Sequence, residues 1–290
     1  MSLRFLFLVL AIGLFLTSAA RADLIAADSF NDKTVGALNG QGGGTGAWTG
    51  NYASLSGVTV VAGGLNYSAG QVNIAGGSQA LRITGPAAAT DQMFTRGFAT
   101  QTGPLYFSLL FRPGLTPDTS TTDGDFVQFL LNDDMDEANA GSIGMGRTDT
   151  NNPFFSRIGL SGGGGDTDLS GVLAQDATTY FLVGRFTQSG VNGIEYDTMS
   201  LWVNPNSLTE TSPLVTSFFD SNSASLSFLT LRTAGLVSDF YLVDEFRLGT
   251  SFDAVVVPEP STWLSCGLLL AGGWIVRRRS KTAAVRGSVA

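Results

Sequence analysis

No histidine occurs anywhere in the 290 residues, and the single cysteine is Cys266. Without imidazole the chain can hold neither a Ser-His-Asp nor a Cys-His nucleophile system, nor a His-based zinc hydrolase motif. Each of these needs a base or ligand that titrates near neutrality. One cysteine cannot form an internal disulfide, so burial and hydrogen bonding alone must hold the fold. Lysine is nearly as scarce. Between Asp23 and Val257 the only lysine is Lys33, and nine Lys and Arg face 23 Asp and Glu, a net charge of −14. Such a surface repels phosphate backbones, which argues against nucleic acid as a partner. It suits divalent cations and neutral or cation-bridged polysaccharide.

Also missing from residues 23–253 is any sustained 3.6-residue apolar period. In its place stand short β-rich runs divided by Gly, Asn, Asp and Ser. The runs predict strands at 58–61, 80–84, 105–111, 126–131, 154–160, 180–187, 198–203, 225–232 and 239–248. Several alternate as a half-buried strand should, with Met199, Leu201 and Val203 pointing one way and Ser200 and Trp202 the other. Among the 37 glycines, clusters such as Gly42-Gly43-Gly44 fit loops that need φ > 0. Many short strands with regular turn signals imply one all-β antiparallel sandwich.

The two ends have a different character. Arg4 is the only charge before the apolar run 5–16, and Ala20-Arg21-Ala22 places small residues at the −3 and −1 positions before Asp23. That pattern reads as a signal peptide over residues 1–22, because the run is shorter than the ~18 residues of a spanning helix. At the other end, Val257-Pro258-Glu259-Pro260 is a rigid segment whose prolines fix φ and remove donors. Ser261 can cap a helix there. Sixteen helical residues rise about 24 Å, a little short of a bilayer core of about 30 Å. Arg277, Arg278, Arg279 and Lys281 can snorkel to make up the difference, and they hold that end in the cytoplasm.

These three parts in this order resemble a PEP-CTERM sorting signal, here over residues 257–281. The resemblance implies an exosortase-type processing enzyme as partner, in a Gram-negative bacterium that makes extracellular polysaccharide. It implies a transient inner-membrane intermediate, a cut near Pro258 to Pro260, and loss of Cys266 from the mature protein. The body, residues 23–253, resembles the laminin-G/concanavalin-A-like jelly rolls found on such proteins. The residues that carry this likeness are Asp28-Ser29-Phe30, Ala37-Leu38-Asn39-Gly40, the hairpin pattern of 180–205 around Asn192-Gly193, and the closing run 243–250.

Since such jelly rolls include polysaccharide hydrolases, the carboxylates need inspection. Asp133-Asp134-Met135-Asp136-Glu137 is the densest cluster. A retaining glycosidase needs two carboxyls about 5–5.5 Å apart, yet adjacent Asp136 and Glu137 point to opposite faces of a strand. A solvated loop is the preferred reading, and calcium is the one cofactor that this cluster or Asp123-Gly124-Asp125 could accept. Asp244 shares a strand face with Phe240, Leu242, Phe246 and Leu248, so it needs a buried partner. Arg185 and Arg232 are candidates, with a backbone contact as the alternative. Trp48 and Trp202 could stack on sugar rings, although packing is the default for both. No catalytic residue is assigned. The expectation is an exported, non-enzymatic surface or matrix protein of structural or adhesive type. A lectin-like carbohydrate- or calcium-binding module and a polysaccharide hydrolase or lyase are the alternatives.

Overall fold

The structure, a computed structural model, describes residues 24–84, 91–115, 126–133, 140–146, 152–159, 165–189, 193–219, 221, 223–236 and 239–257. In chain order the strands are β1 (Leu24–Asp28), β2 (Gly36–Ala37), β3 (Thr45–Gly46), β4 (Trp48–Ser54), β5 (Val58–Ala62), β6 (Asn66–Ala69), β7 (Val72–Ala75), β8 (Gln79–Thr84), β9 (Asp91–Gln101) and β10 (Leu105–Gly114). There follow β11 (Phe126–Asn132), β12 (Gly141–Gly146), β13 (Pro153–Ile158), β14 (Asp166–Leu173), β15 (Tyr180–Thr187), β16 (Thr198–Val203), β17 (Val215–Phe218), β18 (Leu226–Ala234) and β19 (Phe240–Gly249). One short helix, α1 (Phe252–Val256), closes the described chain. Backbone contacts divide the chain after Val257.

All pairings are antiparallel, as the alternating sequence pattern implies. One sheet runs β17-β16-β15-β10-β19-β8-β5-β2, with β1 and β3 attached beside β19. A second runs β14-β13-β12-β11-β18-β9-β4, and β6-β7 is a separate hairpin. Every expected strand has a counterpart. The pair β15–β16 matches Thr187 with Thr198, which is the hairpin expected over 180–205. Strands β1, β2, β3, β4, β6, β7, β9, β12, β14 and β17 and helix α1 were not apparent in the sequence pattern. Two glycines of β12 show why. A Cβ on Gly144 would lie 2.0 Å from the Val127 carbonyl oxygen, and one on Gly141 would lie 2.7 Å from the Phe186 ring. Close packing demands glycine there, and glycine carries no strand signal.

The two large sheets face each other across one apolar core. Met199 and Leu201 enter it as the alternation implies, beside Phe111, Phe129, Phe154 and Phe246. Ring centroids of Phe111 and Phe129 lie 6.0 Å apart, those of Phe129 and Phe246 5.9 Å. Each such side chain contributes roughly 1.5–3 kcal/mol by leaving water.

A second cluster lies on the far face of the ten-stranded sheet. Leu110, Phe181, Val183, Trp202 and Leu242 are covered by Leu65, Val72 and Ile74 around the β6–β7 hairpin and by Phe252, Val255 and Val256 of α1. This sheet is therefore apolar on both sides.

Strand β19 departs from simple alternation. Ser108 pairs with Arg247 and Leu110 with Asp244, so two residues of β19 oppose one of β10. Glu245 occupies this bulge at φ 52°, and an extra residue reverses the side-chain parity. Phe246 and Leu248 consequently enter the inter-sheet core, whereas Leu242 joins the outer cluster. The sequence expectation that Asp244 shares a face with Phe246 and Leu248 is thereby corrected.

The sandwich edge where β14 and β17 meet is capped by side chains. The Phe218 N–H donates to Asp166 Oδ2 at 2.8 Å, and the Asp168 N–H to Ser217 Oγ at 3.1 Å. Exposed strand edges template further pairing, and such caps blunt them.

Candidate functional site

Three groups of polar residues stand out, and two of them are structural. The first surrounds Asp28 at the end of β1. Its carboxylate accepts from the Phe30 N–H at 2.9 Å, Lys33 Nζ at 2.9 Å, Tyr52 Oη at 3.0 Å and Arg96 Nη1 at 2.7 Å. Lys33 also pairs with Asp32. Arg96 donates through Nη2 to the Gly43 carbonyl at 2.7 Å, and its guanidinium lies 4.6 Å from the Trp48 ring centroid and 4.5 Å from that of Tyr52. Two cations and two carboxylates are thus matched, as buried charge requires.

The glycine-rich loop owes its composition to this cluster. At Gly43 (φ 92°) a Cβ would lie 2.1 Å from Asp32 Oδ2, and at Gly44 (φ 74°) 2.6 Å from the Ala27 carbonyl oxygen. Trp48 is committed here too, through Arg96 and a 3.0 Å bond from Nε1 to the Ala27 carbonyl.

The second group centres on Asp244, which is 0% exposed. It accepts from the Leu65 N–H at 2.9 Å and from its neighbour's, Glu245, at 2.8 Å. These are backbone contacts, not an arginine pair: Arg185 meets Glu210, and Arg232 stacks 5.4 Å from the Phe126 centroid. Burial, reinforced by the charges of Glu245 and Asp28, lifts the Asp244 carboxyl to about 8 despite the two N–H donors. A Cβ on Gly76 would lie 2.0 Å from Asp244 Oδ2, so the carboxyl bonds one end of the β6–β7 hairpin and packs against the other.

The third group lies on the outer face of β15, β16 and β17, where Ser200 and Thr198 are buried, Arg185, Thr187 and Thr216 are half-buried and Phe218 is exposed. Register places Arg185, Ser200 and Thr216 in one row, and Thr187, Thr198 and Phe218 in the next. Ser200 and Thr216 hydroxyls are 3.2 Å apart. Glu210, which pairs with Arg185, also accepts from Tyr106 Oη at 2.8 Å. Phe218 is 62% exposed. Trp202, by contrast, is 3% exposed, packed on Phe252 at 5.4 Å between centroids, and bonded through Nε1 to the Thr211 carbonyl at 2.8 Å. It belongs to packing, not to sugar stacking. Alternation oriented Trp202 correctly, but pointed to no role for Phe218.

Other candidates are partly or wholly outside the described residues. Asp133 is described, with its carbonyl accepting from Ser227 Oγ at 2.8 Å. Asp134, Asp136, Glu137, Asp123 and Asp125 are not. Ala20, Ala22, Asp23, Pro258, Glu259, Pro260, Arg277, Arg278 and Arg279 likewise lie outside, as do the apolar segments 5–16 and 262–276. Among the described residues no three Asp, Glu or Cys side chains form a metal-binding group, and no helix is long and apolar enough to cross a membrane.

Comparison with known proteins adds the following. No family model matches the chain, and no curated protein matches it in sequence. Among solved structures, an endo-β-1,4-glucuronan lyase from the fungus Trichoderma reesei is 13% identical at TM-score 0.39, covering 66% of this chain and 89% of the lyase. The metal-free carbohydrate recognition domain of Emp46p is 9% identical at TM-score 0.41, covering 70% of this chain and 90% of that one. Lectin II from Ulex europaeus is 9% identical at TM-score 0.39, covering 67% and 92%. Likenesses this distant assign no function.

Two outcomes follow from the buried carboxyls. Asp28→Ala should cost about 3–5 kcal/mol in urea unfolding, because it strands Lys33 and Arg96 in the interior. For Asp244 the native carboxyl binds its proton more tightly than the unfolded one, whose ordinary value is 3.8. The native state therefore carries the extra proton, and stability should fall as pH rises from about 4 to about 8. Urea unfolding across that window should be less steep for Asp244→Asn than for the wild type, the difference isolating this carboxyl from the general acidic charge.

Proposed function

We propose that this protein is a non-catalytic jelly-roll sandwich, exported and delivered to the cell surface or polysaccharide matrix through its C-terminal PEP-CTERM-like signal. The observation that carries this reading is the position of the boundary. Packing of the described body runs to Val257, the first residue of Val257-Pro258-Glu259-Pro260, and the outer apolar cluster draws on Val255, Val256 and Val257. A domain so bounded can be carried as cargo and released whole. The use of Asp28 and Asp244 as internal hydrogen-bond acceptors supports a scaffold over a hydrolase. Processing by an exosortase-type enzyme accounts for the arginine cluster and the proline-flanked glutamate.

The test is the intact mass of surface-fraction protein from a Gram-negative host that carries an exosortase. The expected species begins at Asp23 or a near neighbour and lacks residues 262–276. Replacing Arg277, Arg278 and Arg279 with Ser should leave unprocessed precursor in the inner membrane. Surface material that retains the apolar tail would overturn the sorting reading.

A carbohydrate-binding role is the second reading, favoured by the exposed Phe218 ring beside half-buried Thr216 and Arg185. An aromatic face suits the apolar side of a pyranose, and neighbouring hydroxyl and guanidinium groups suit its edge. Glycan-array binding that drops at least tenfold in Phe218→Ala, and not in Leu169→Ala on another edge strand, would favour it. Reducing ends released by the wild type and lost in a single carboxylate variant would overturn the non-catalytic assignment.

A further inference from the structure

The segment between β19 and the Pro-Glu-Pro motif is short and largely apolar, and it is clasped to the sandwich. Ser108 Oγ in β10 donates to the Val255 carbonyl at 2.8 Å. Arg247 Nη1 in β19 donates to the Val257 carbonyl at 2.6 Å, while Nη2 holds Glu245 at 2.9 Å. Ser108 and Arg247 are partners in the β10–β19 ladder, so both hooks rise from one place on the sheet. Between them α1 lays Phe252, Val255 and Val256 into the outer cluster. Phe252 sits edge-on to both Tyr106 and Trp202, with centroids 6.4 and 5.4 Å away. Val257 N–H closes the helix on the Asp253 carbonyl at 3.0 Å.

We propose that this clasp is the end-stop for proteolytic processing: cleavage is confined to the C-terminal side of Val257, and the mature body keeps α1. Hydrolysis of a peptide bond puts the hydroxyl of water on the carbonyl carbon and its proton on the departing nitrogen. The attacked carbonyl must therefore be reachable, and the chain around it must be extended. Through Val257 the carbonyls at 255 and 257 are engaged and the helix must unwind first, which exposes three apolar side chains. Proteases cut through such local openings at a rate set by how often they occur. Past Val257 the sequence places two prolines, which disfavour helix and ladder, so the clasp as observed ends where the motif begins. Where the sorting enzyme cuts rests on the sorting reading above; the protection of residues 252–257 does not.

The test is native-state digestion of the full chain with a broad-specificity protease, followed by mass measurement of the resistant fragment. The expected fragment ends at Val257 or beyond. Wild-type cuts between Gly249 and Val256 would overturn the proposal. Arg247→Met and Ser108→Ala should each raise the rate of cutting within 252–257 at least tenfold, with Arg247→Lys partly restoring protection. Because Arg247 also holds Glu245, near-UV circular dichroism checks that variant's fold. Should Arg247→Met fail to fold, Ser108→Ala, which removes only a hydroxyl, carries the test. Unchanged cutting in Ser108→Ala, with the fold intact, would overturn the clasp. Surface protein that keeps its apolar tail, with wild-type digestion still stopping at Val257, would reject the sorting reading and leave the end-stop standing.

Discussion

Glu245 stands in the left-handed region at the middle of β19, and the body's organisation turns on that one reversal. On its N-terminal side β19 pairs with β8, from Phe240 opposite Thr84 to Val243 opposite Leu81; on its C-terminal side it pairs with β1, with Phe246 opposite Asp28. A regular strand would keep one partner and one parity throughout. The bulge lets β19 change both. It sends Asp244 outward to the β6–β7 hairpin, Phe246 inward to the core, and Arg247 outward to Val257. A positive φ at a non-glycine residue costs of order 1–3 kcal/mol, which the Glu245–Arg247 pair and the surrounding packing offset.

The acidic body's few cations are tied to its architecture as well. Lys33 and Arg96 converge on Asp28, Arg185 on Glu210, and Arg247 on Glu245. Arg82 lies 4.4 Å from the Phe240 ring centroid. Lys33 and Arg96, Arg185, and Arg247 fasten what strand pairing alone would leave loose: the glycine-rich loop, residue 210, and the segment after β19. With Lys33, Arg96 and Arg247 buried and a net charge of −14 between Asp23 and Val257, the body carries an acidic excess. Such charge keeps it soluble and disfavours contact with anionic surfaces.

An outer cluster on the ten-stranded sheet gives this sandwich a third layer at one side. Hairpin and α1 cover aromatic and aliphatic residues that a two-layer fold would expose. Nearby, on the same sheet, Phe218 stays 62% exposed at the β17 edge.

Strand identity was legible in the sequence because alternation and β-branched residues act locally. The runs at 180–187 and 198–203 correspond to β15 and β16 with the same bounds, and Met199 and Trp202 fall on the opposite faces that the period of two demands. The absence of histidine and disulfides, the acidic balance of the body and the composition of both chain ends are also properties of sequence alone. Tertiary structure decided the rest. Whether the face bearing Trp202 met water or a covering hairpin depended on residues 65–75 and 252–256, far away in the chain. Parity within β19 depended on an exchange of neighbours at Glu245, which no local pattern encodes. Residues 252–257 became part of the fold because Ser108, about 150 positions earlier, supplied a hydroxyl where their backbone needed a donor. Alternation reports which side chains share a face; only the packed chain determines what that face meets.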